Sequence, residues 1–314
     1  MDGDSPSRTS IWAAAARAVG SRTQPPQWHN PDKLADKLIG PAERELLGEH
    51  PLAAAMEHDT LELRRNPEVM SAVMTLIVRT KFIDESLQRA IANGATQVVI
   101  LGAGWDTRAR RFPDLLRNAR VFEVDHPATQ NWKRRRAEEV LGPGPANLTY
   151  LPIDFRHQSL ADVLAAGGYD PSRKTCFIWE GVTMYLPEAA VRETLQWIAR
   201  QAPGSSLVFD FAHSSLIDFI DRASQAPELL TDTEKLGAAR LRQITSWGEP
   251  WIFGIPGDAD AAYVQQLGLE HQETLGMASI QAAKRYLDWQ EDRPFPAIRA
   301  FYSIMQVTVP QRAL

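Results

Sequence analysis

Four acidic side chains recur at one kind of place in this 314-residue chain. Asp106, Asp125, Asp154 and Glu180 each close a short segment that follows an apolar, strand-like run. The first run ends in Gly102-Ala103-Gly104-Trp105-Asp106, the second in Glu123-Val124-Asp125, the third in Asp154-Phe155 and the fourth in Glu180-Gly181. A rim of carboxylates repels di- and triphosphates, and no lysine follows the glycines as a phosphate loop requires. The third glycine of the dinucleotide fingerprint is also missing, which disfavours a NAD-dependent oxidoreductase. A nucleoside without phosphates fits better. An acid after the second strand can accept both ribose hydroxyls, and one after the third can accept the adenine amino group. The glycines let the backbone approach an amino-acid portion, and the negative rim suits a sulfonium cation. Those features together describe S-adenosyl-L-methionine (SAM). Arg79 supplies the complement, because a guanidinium engages a carboxylate through two parallel hydrogen bonds.

Taken singly, each residue has a plainer explanation. A Gly-x-Gly after a strand is weak evidence, and Asp125 could only cap the helix that begins at Pro127. Asp154 and Glu180 could be caps or surface charges, and Arg79 a solvated helix residue. Their spacing, one per strand end, carries the joint reading.

The elements that must hold them follow from the apolar pattern. Strand-like runs at 97–101, 120–124, 149–153, 175–179 and 206–210 alternate with helical stretches at 107–112, 128–141, 159–166 and 188–201. Runs such as VVIL, CFIW and LVF are apolar on both faces, as buried parallel strands are. The pattern predicts an α/β, doubly wound, mostly parallel sheet. Upstream, an Ala-rich helix over 7–20 with Ser7, Thr9 or Ser10 as cap precedes a proline-punctuated segment. A longer helix follows over 67–92, stopped by Asn93-Gly94. Residues 300–309 read as a last strand and 267–274 as a further one. Residues 214–254 look helical and amphipathic (Leu216, Ile217, Phe219, Ile220, Leu229, Leu230, Leu236, Leu241) and end in an aromatic stretch from Trp247 to Phe253. An insertion of that size after the fifth strand suits a pocket cover.

Composition narrows the class. The chain is 44% hydrophobic, 23% charged and carries a net charge of −5. No global basic field recruits nucleic acid. The basic run Lys133-Arg134-Arg135-Arg136 reads as a solvated helix face. The single cysteine, Cys176, excludes an intramolecular disulfide and any multi-cysteine zinc site, so no metal is expected. The N-terminus lacks the basic-then-apolar form of a signal peptide, and no stretch of about eighteen apolar residues could span a membrane. A cytoplasmic protein is the expectation.

The segments VVILGAGWDTRARRF, VFEVDHP, LPIDF and FIWEGVTMYLPEAAV, in that order, resemble the leucine carboxyl methyltransferase and TcmP-like family of class I SAM-dependent O-methyltransferases. SRTSIWAAAARA and NPEVMSAVMTLIVRTKFIDESL resemble the family's N-terminal extension, so the likeness covers residues 7 to 210 and weakens beyond. It implies a Rossmann-like sheet of seven strands over residues 95–314, a helical extension over 1–94 packed on that core, and a helical cap inserted at about 214–256. It also implies that Arg79 binds the SAM carboxylate. Gly102, with Ala103 and Gly104, would pack on the amino-acid moiety, Asp125 would hold the ribose, and Asp154 with Phe155 would frame adenine. Glu180 would close the amino-acid end near the ammonium. The family commonly has Asp-Leu where this chain has Asp154-Phe155. Arg17 resembles a basic position in the family's N-terminal helix.

The expected partner is a small-molecule methyl acceptor, and the expected product is S-adenosyl-L-homocysteine (SAH). A carboxylate nucleophile is ionised at neutral pH and needs no base, whereas a phenol with a pKa of about 10 benefits from one. His213 and Tyr185 are the candidates for such a base. Each has a structural alternative: His213 can cap the next helix, and Tyr185 can pack. His126 and His157 read as surface residues. Trp247, Trp251 and Phe253 could line an acceptor site or form the core of the cap. The leading expectation is methylation of a carboxylate on a polyketide-like or lipid-like small molecule. A phenol or hydroxyl acceptor, and a protein that binds SAM without turnover, are the alternatives.

Overall fold

The computed structural model describes residues 5–23, 25–57, 66–154, 157–229, 231, 249–295 and 301–311. Helix α1 (Arg8–Gly20) starts at Ser7, whose side chain accepts from the Ser10 N–H. Short helices α2 (Leu34–Leu38), α3 (Pro41–Leu47) and α4 (Pro51–Glu57) follow. They lead to α5 (Pro67–Ala92), a helix of 26 residues. Asn66 opens α5 by accepting from the N–H groups of Glu68 and Val69, a cap worth about 1 kcal/mol. Helices α1 and α4 both pack on α5.

The sheet then builds strand by strand: β1 (Gln97–Leu101), helices α6 (Arg108–Arg111) and α7 (Pro113–Leu116), β2 (Arg120–Asp125), α8 (Pro127–Leu141), β3 (Leu148–Pro152), α9 (Leu160–Ala166), β4 (Thr175–Trp179), α10 (Glu188–Ala199), β5 (Ser206–Ala212) and α11 (Ser214–Gln225). After the segment 249–255 come α12 (Asp260–Gln266), β6 (Glu270–Gly276), α13 (Ile280–Leu287) and β7 (Tyr302–Thr308). The spatial order is β3-β2-β1-β4-β5-β7-β6, with β7 antiparallel to both its neighbours. The five parallel strands and the two later ones fall where expected, with boundaries moved by up to three residues. The sheet is the mostly parallel, seven-stranded, Rossmann-like α/β arrangement expected from the sequence.

Side-chain alternation sorts the core into two layers. Ile100, Ile178, Val208 and Ile304 point toward α1 to α5, while Leu101, Phe177, Phe209 and Met305 point to the other face. Two strands break the apolar rule. Glu123 of β2 is buried and held by Lys133 of α8, ten residues later. The basic run is therefore not wholly a solvated face: Lys133 is buried, while Arg134 and Arg135 are exposed. Asp210 of β5 is fully buried and belongs to the site below. No described helix is long and apolar enough to cross a membrane. Of the expected cap, Leu230, Leu236, Leu241 and Trp247, and the side chain of Leu229, lie outside the described residues.

Candidate functional site

The strand order lines up the carboxyl ends of β4, β1, β2 and β3, and so brings Glu180, Gly102, Asp125 and Asp154 to one edge in that sequence. Backbone bonds stitch the ends together: the Ala103 N–H donates to the Val124 carbonyl at 3.1 Å, and the Ile153 N–H to the Asp125 carbonyl at 2.9 Å. Ligands of open α/β sheets bind beyond such ends.

The glycine turn after β1 needs its glycines. Gly102 and Gly104 have φ of +61° and +44°, a region that side chains other than glycine's rarely adopt. A β-carbon on Gly102 would overlap Val182 of the turn after β4, and one on Gly104 would stand 3.2 Å from the Ser10 β-carbon. Helix α1 therefore covers this turn. Asp125 accepts from the Gly104 N–H through Oδ2 and from the His126 N–H through Oδ1. Burial pushes the Asp125 carboxyl up, against the pull of these two N–H groups. His126, not Asp125, caps α8, by accepting from the Ala128 N–H at 3.3 Å. Asp154 sits half-buried past β3, and its N–H donates to Gln158. Phe155 lies outside the described residues. His157 is exposed.

Arg79 is nearly buried, one helical face of α5 having carried it under the ends of β4 and β5. Its Nε donates to Glu180 at 2.9 Å, and its Nη1 to Asp210 at 2.9 Å and to the Tyr302 hydroxyl at 3.1 Å. Its Nη2 makes no hydrogen bond among the described residues. Gly181, with φ of +69°, keeps that side of the guanidinium open: a β-carbon there would stand 3.5 Å from both Nη1 and Nη2. The other oxygen of Glu180 accepts from Arg108 at 2.7 Å. Burial alone would raise the Glu180 carboxyl, but Arg108 and Arg79 outweigh it and hold it well below the usual range.

The contacts continue inward. Arg108 bonds Asp84 at 2.8 Å and also pairs with Asp106, and Arg111 grips both oxygens of Asp84 at 2.8 and 2.9 Å. Arg111 and Asp32 share the Thr107 hydroxyl, and Asp32 pairs with Arg17 at 2.8 Å. Arg17 also donates to the Trp105 carbonyl at 2.7 Å. Thus Arg17 reaches the glycine turn through its main chain. Asp106, expected on the rim, instead closes the first turn of α6 by accepting from the Arg108 N–H.

Asp210, Asp84, Arg108 and Tyr302 were not among the residues singled out from sequence. One signal was readable: a carboxylate inside the apolar run LVFDF demands a buried partner, since an unpaired buried charge is prohibitive. Which cation and which hydroxyl answer it is set by tertiary structure.

The two candidate bases are placed differently. His213 caps α11 without a side-chain bond and lies on the face of Phe211, opposite that of Asp210. Its Nε2 is 2.7 Å from the Ser303 hydroxyl, and burial lowers its pKa. Tyr185 meets Trp251 edge-on, and Trp251 stacks on Tyr302 at 5.9 Å. Burial pushes the Tyr185 hydroxyl up to about 12, and burial together with the neighbouring Asp210 carboxylate raises Tyr302 well above the ordinary phenol value. Phe253 is core, packed near Tyr263. The segment 249–255 crosses the turn after β4: Ile252 N–H donates to the Met184 carbonyl at 2.8 Å, and Glu249 accepts from the backbone and hydroxyl of Thr9 at the start of α1. No group of His, Cys, Asp and Glu with metal-holding geometry occurs among the described residues.

Comparison with known proteins adds four findings. The family described as leucine carboxyl methyltransferase matches residues 10–199. A Frankia alni protein, assigned by inference as a SAM-dependent methyltransferase, is 33% identical over 63% of this chain and 66% of its own. A Bacillus subtilis protein assigned in the same way is 31% identical over 67% and 72%. The chain thus spans about two thirds of the length of the curated relatives it matches. A crystallised Thermobifida fusca protein, itself assigned only by inference as a methyltransferase, shares the fold at a TM-score of 0.54. That likeness extends over 99% of this chain and 97% of the other at 16% identity.

Proposed function

The chain belongs to the leucine carboxyl methyltransferase family of SAM-dependent enzymes, and from that premise we propose that it methylates a carboxylate of a small molecule. The observation that carries the acceptor class is the family match over residues 10–199, and neither candidate base for a phenol is placed to act as one. Tyr185 and Tyr302 hold their protons too tightly, and His213 lies on the other face of the sheet. A carboxylate acceptor needs no base, because it is ionised at neutral pH. The family's description names a carboxyl acceptor as well.

The residues suit the cofactor. Arg17, Arg79, Arg108 and Arg111 stand against Asp32, Asp84, Asp106, Glu180 and Asp210 in one chain of contacts, four positive charges against five negative. The carboxylates exceed the guanidiniums, and Asp125 and Asp154 add to the negative side, which suits a net cationic ligand such as SAM. In our reading the free Nη2 of Arg79 takes the amino-acid carboxylate. Glu180 lies beside the ammonium, and Gly102, Ala103 and Gly104 lie along that moiety. Asp125 uses two of its four or so acceptor positions on Gly104 and His126, leaving the others for ribose hydroxyls. Asp154, with Phe155, takes the adenine end. Bound there, SAM supplies an electrophilic methyl group open to in-line displacement by the acceptor oxygen. The chain contributes mainly alignment of the two partners. Glu249 against Thr9, and Trp251 against Tyr302, wall the acceptor side and favour a small acceptor over a protein terminus.

A mass-spectrometric screen of carboxylic acids and phenols with SAM tests this. Products should gain one methyl group and lose it in alkali, as esters do. Alkali-stable ethers formed only from phenols would overturn the carboxylate assignment.

A further inference from the structure

A second concave site lies on the flank of α5, away from the strand ends. It is an open hollow of about 690 Å³ between α5, the α6–α7 turn, the start of α2 and α13. That volume lies within the range of small-molecule pockets. None of Gly102, Asp125, Asp154 and Glu180 lines it.

Its charge runs against that of the chain. Lys33, Lys81, Arg110, Arg111 and Arg285 line it, against Asp84 and Glu85. Both carboxylates are already engaged: Asp84 by Arg108 and Arg111, and Glu85 by Arg285 and the Tyr286 hydroxyl. Three cations have no carboxylate partner among the described residues. The Lys81 ammonium is half-buried and donates to two main-chain carbonyls, those of Gln27 and Tyr286, each at 2.8 Å. Its third N–H has no acceptor among the described residues. Arg110 donates to the carbonyls of Gly142 and Pro143, and Lys33 is exposed. A desolvated ammonium without a counter-ion is costly, and an incoming anion offsets that cost.

We propose that this pocket binds a compact, multiply charged oxyanion, a small molecule bearing phosphate or carboxylate groups. Lys81 lies at the centre of the recognition, Lys33 and Arg110 on its rim, and Phe112 and Tyr286 form apolar walls for the body of the ligand. The cations gather around one hollow instead of forming an extended stripe, which suits a small molecule over a long polyanion.

Calorimetric titration of the full chain at low salt with pyrophosphate, and separately with citrate, tests the site. One saturable site is expected for at least one of them. Preference for pyrophosphate assigns phosphate groups, and preference for citrate assigns carboxylates. Lys81→Gln should weaken binding at least ten-fold. Lys33→Gln, at an exposed position that cannot unfold the protein, should weaken it several-fold. Arg134→Gln, on the exposed face of α8, should leave it unchanged, and SAH affinity should be the same in all three variants. Absence of saturable heat, equal weakening by Arg134→Gln, or displacement of the anion by SAH would overturn the proposal.

Discussion

Glu180 touches two guanidiniums at once, those of Arg79 and Arg108. Glu180→Gln keeps the shape but removes the charge, leaving Arg79 and Arg108 one carboxylate short in a nearly buried place. Breaking such a pair by removing one partner costs about 3–5 kcal/mol. Denaturant titration should show a loss of that order, and an unshifted midpoint would contradict the pairing. Arg79→Lys should fail in a different way. A lysine cannot reach Glu180 and Asp210 in the planar fork that Arg79 uses, so SAH affinity should fall at least ten-fold by calorimetry. Unchanged affinity would remove Arg79 from the cleft. Sequence made Arg79 and Glu180 legible because each stands at a marked place, a helix leading into β1 and the end of β4. Asp210 was legible only as a misfit in an apolar strand. Tyr302 was not legible at all: it follows Asp210 by 92 residues, and only the antiparallel pairing of β7 with β5 brings them together.

Among the elements, the turn after β1 is the most constrained. Gly102→Ala would require a left-handed conformation at φ of +61° and would press a methyl group into Val182. The two faults together should cost about 1–3 kcal/mol and abolish measurable SAH binding. A variant that binds normally would show that this turn does not approach the ligand. Strand β4 offers a second check through Cys176, its buried second residue. Burial pushes the thiol up to about 12, against small opposite pulls from Ser206 and Arg108. Iodoacetamide should therefore leave the folded protein unmodified at pH 8 and alkylate it only in denaturant; rapid labelling of the native chain would contradict the burial. The strands were legible because apolar runs of five between turn signals have few other readings. The role of α6 was not: residues 107–112 read only as a helical stretch, yet Arg108 and Arg111 turn inward because Asp84 on α5 stands where they land. Nothing local in either segment announces that meeting.

Across the whole molecule, the buried chain of charges ties α1, α5 and the sheet into one electrostatic unit, and pH should report it. The Glu180 carboxyl is held below its ordinary value of 4.5 in the folded state. Its contribution to stability is therefore complete above pH 4.5 and is lost as pH falls toward the folded-state value. The stability difference between wild type and Glu180→Gln should be constant near neutrality and shrink below pH 4.5; a difference independent of pH would contradict the pairing. The order of strands was legible as a class, and it placed four of the proposed contacts on one edge. The coverage of that edge by α1 and the 249–255 segment was not, since it depends on contacts such as Thr9 with Glu249 across 240 residues. If this edge holds SAM, calorimetric titration of SAH gives one-to-one binding to the wild type and at least ten-fold weaker binding to Asp125→Ala, with no heat from NAD. Equal SAH affinity in both proteins, or NAD bound in place of SAH, would contradict it.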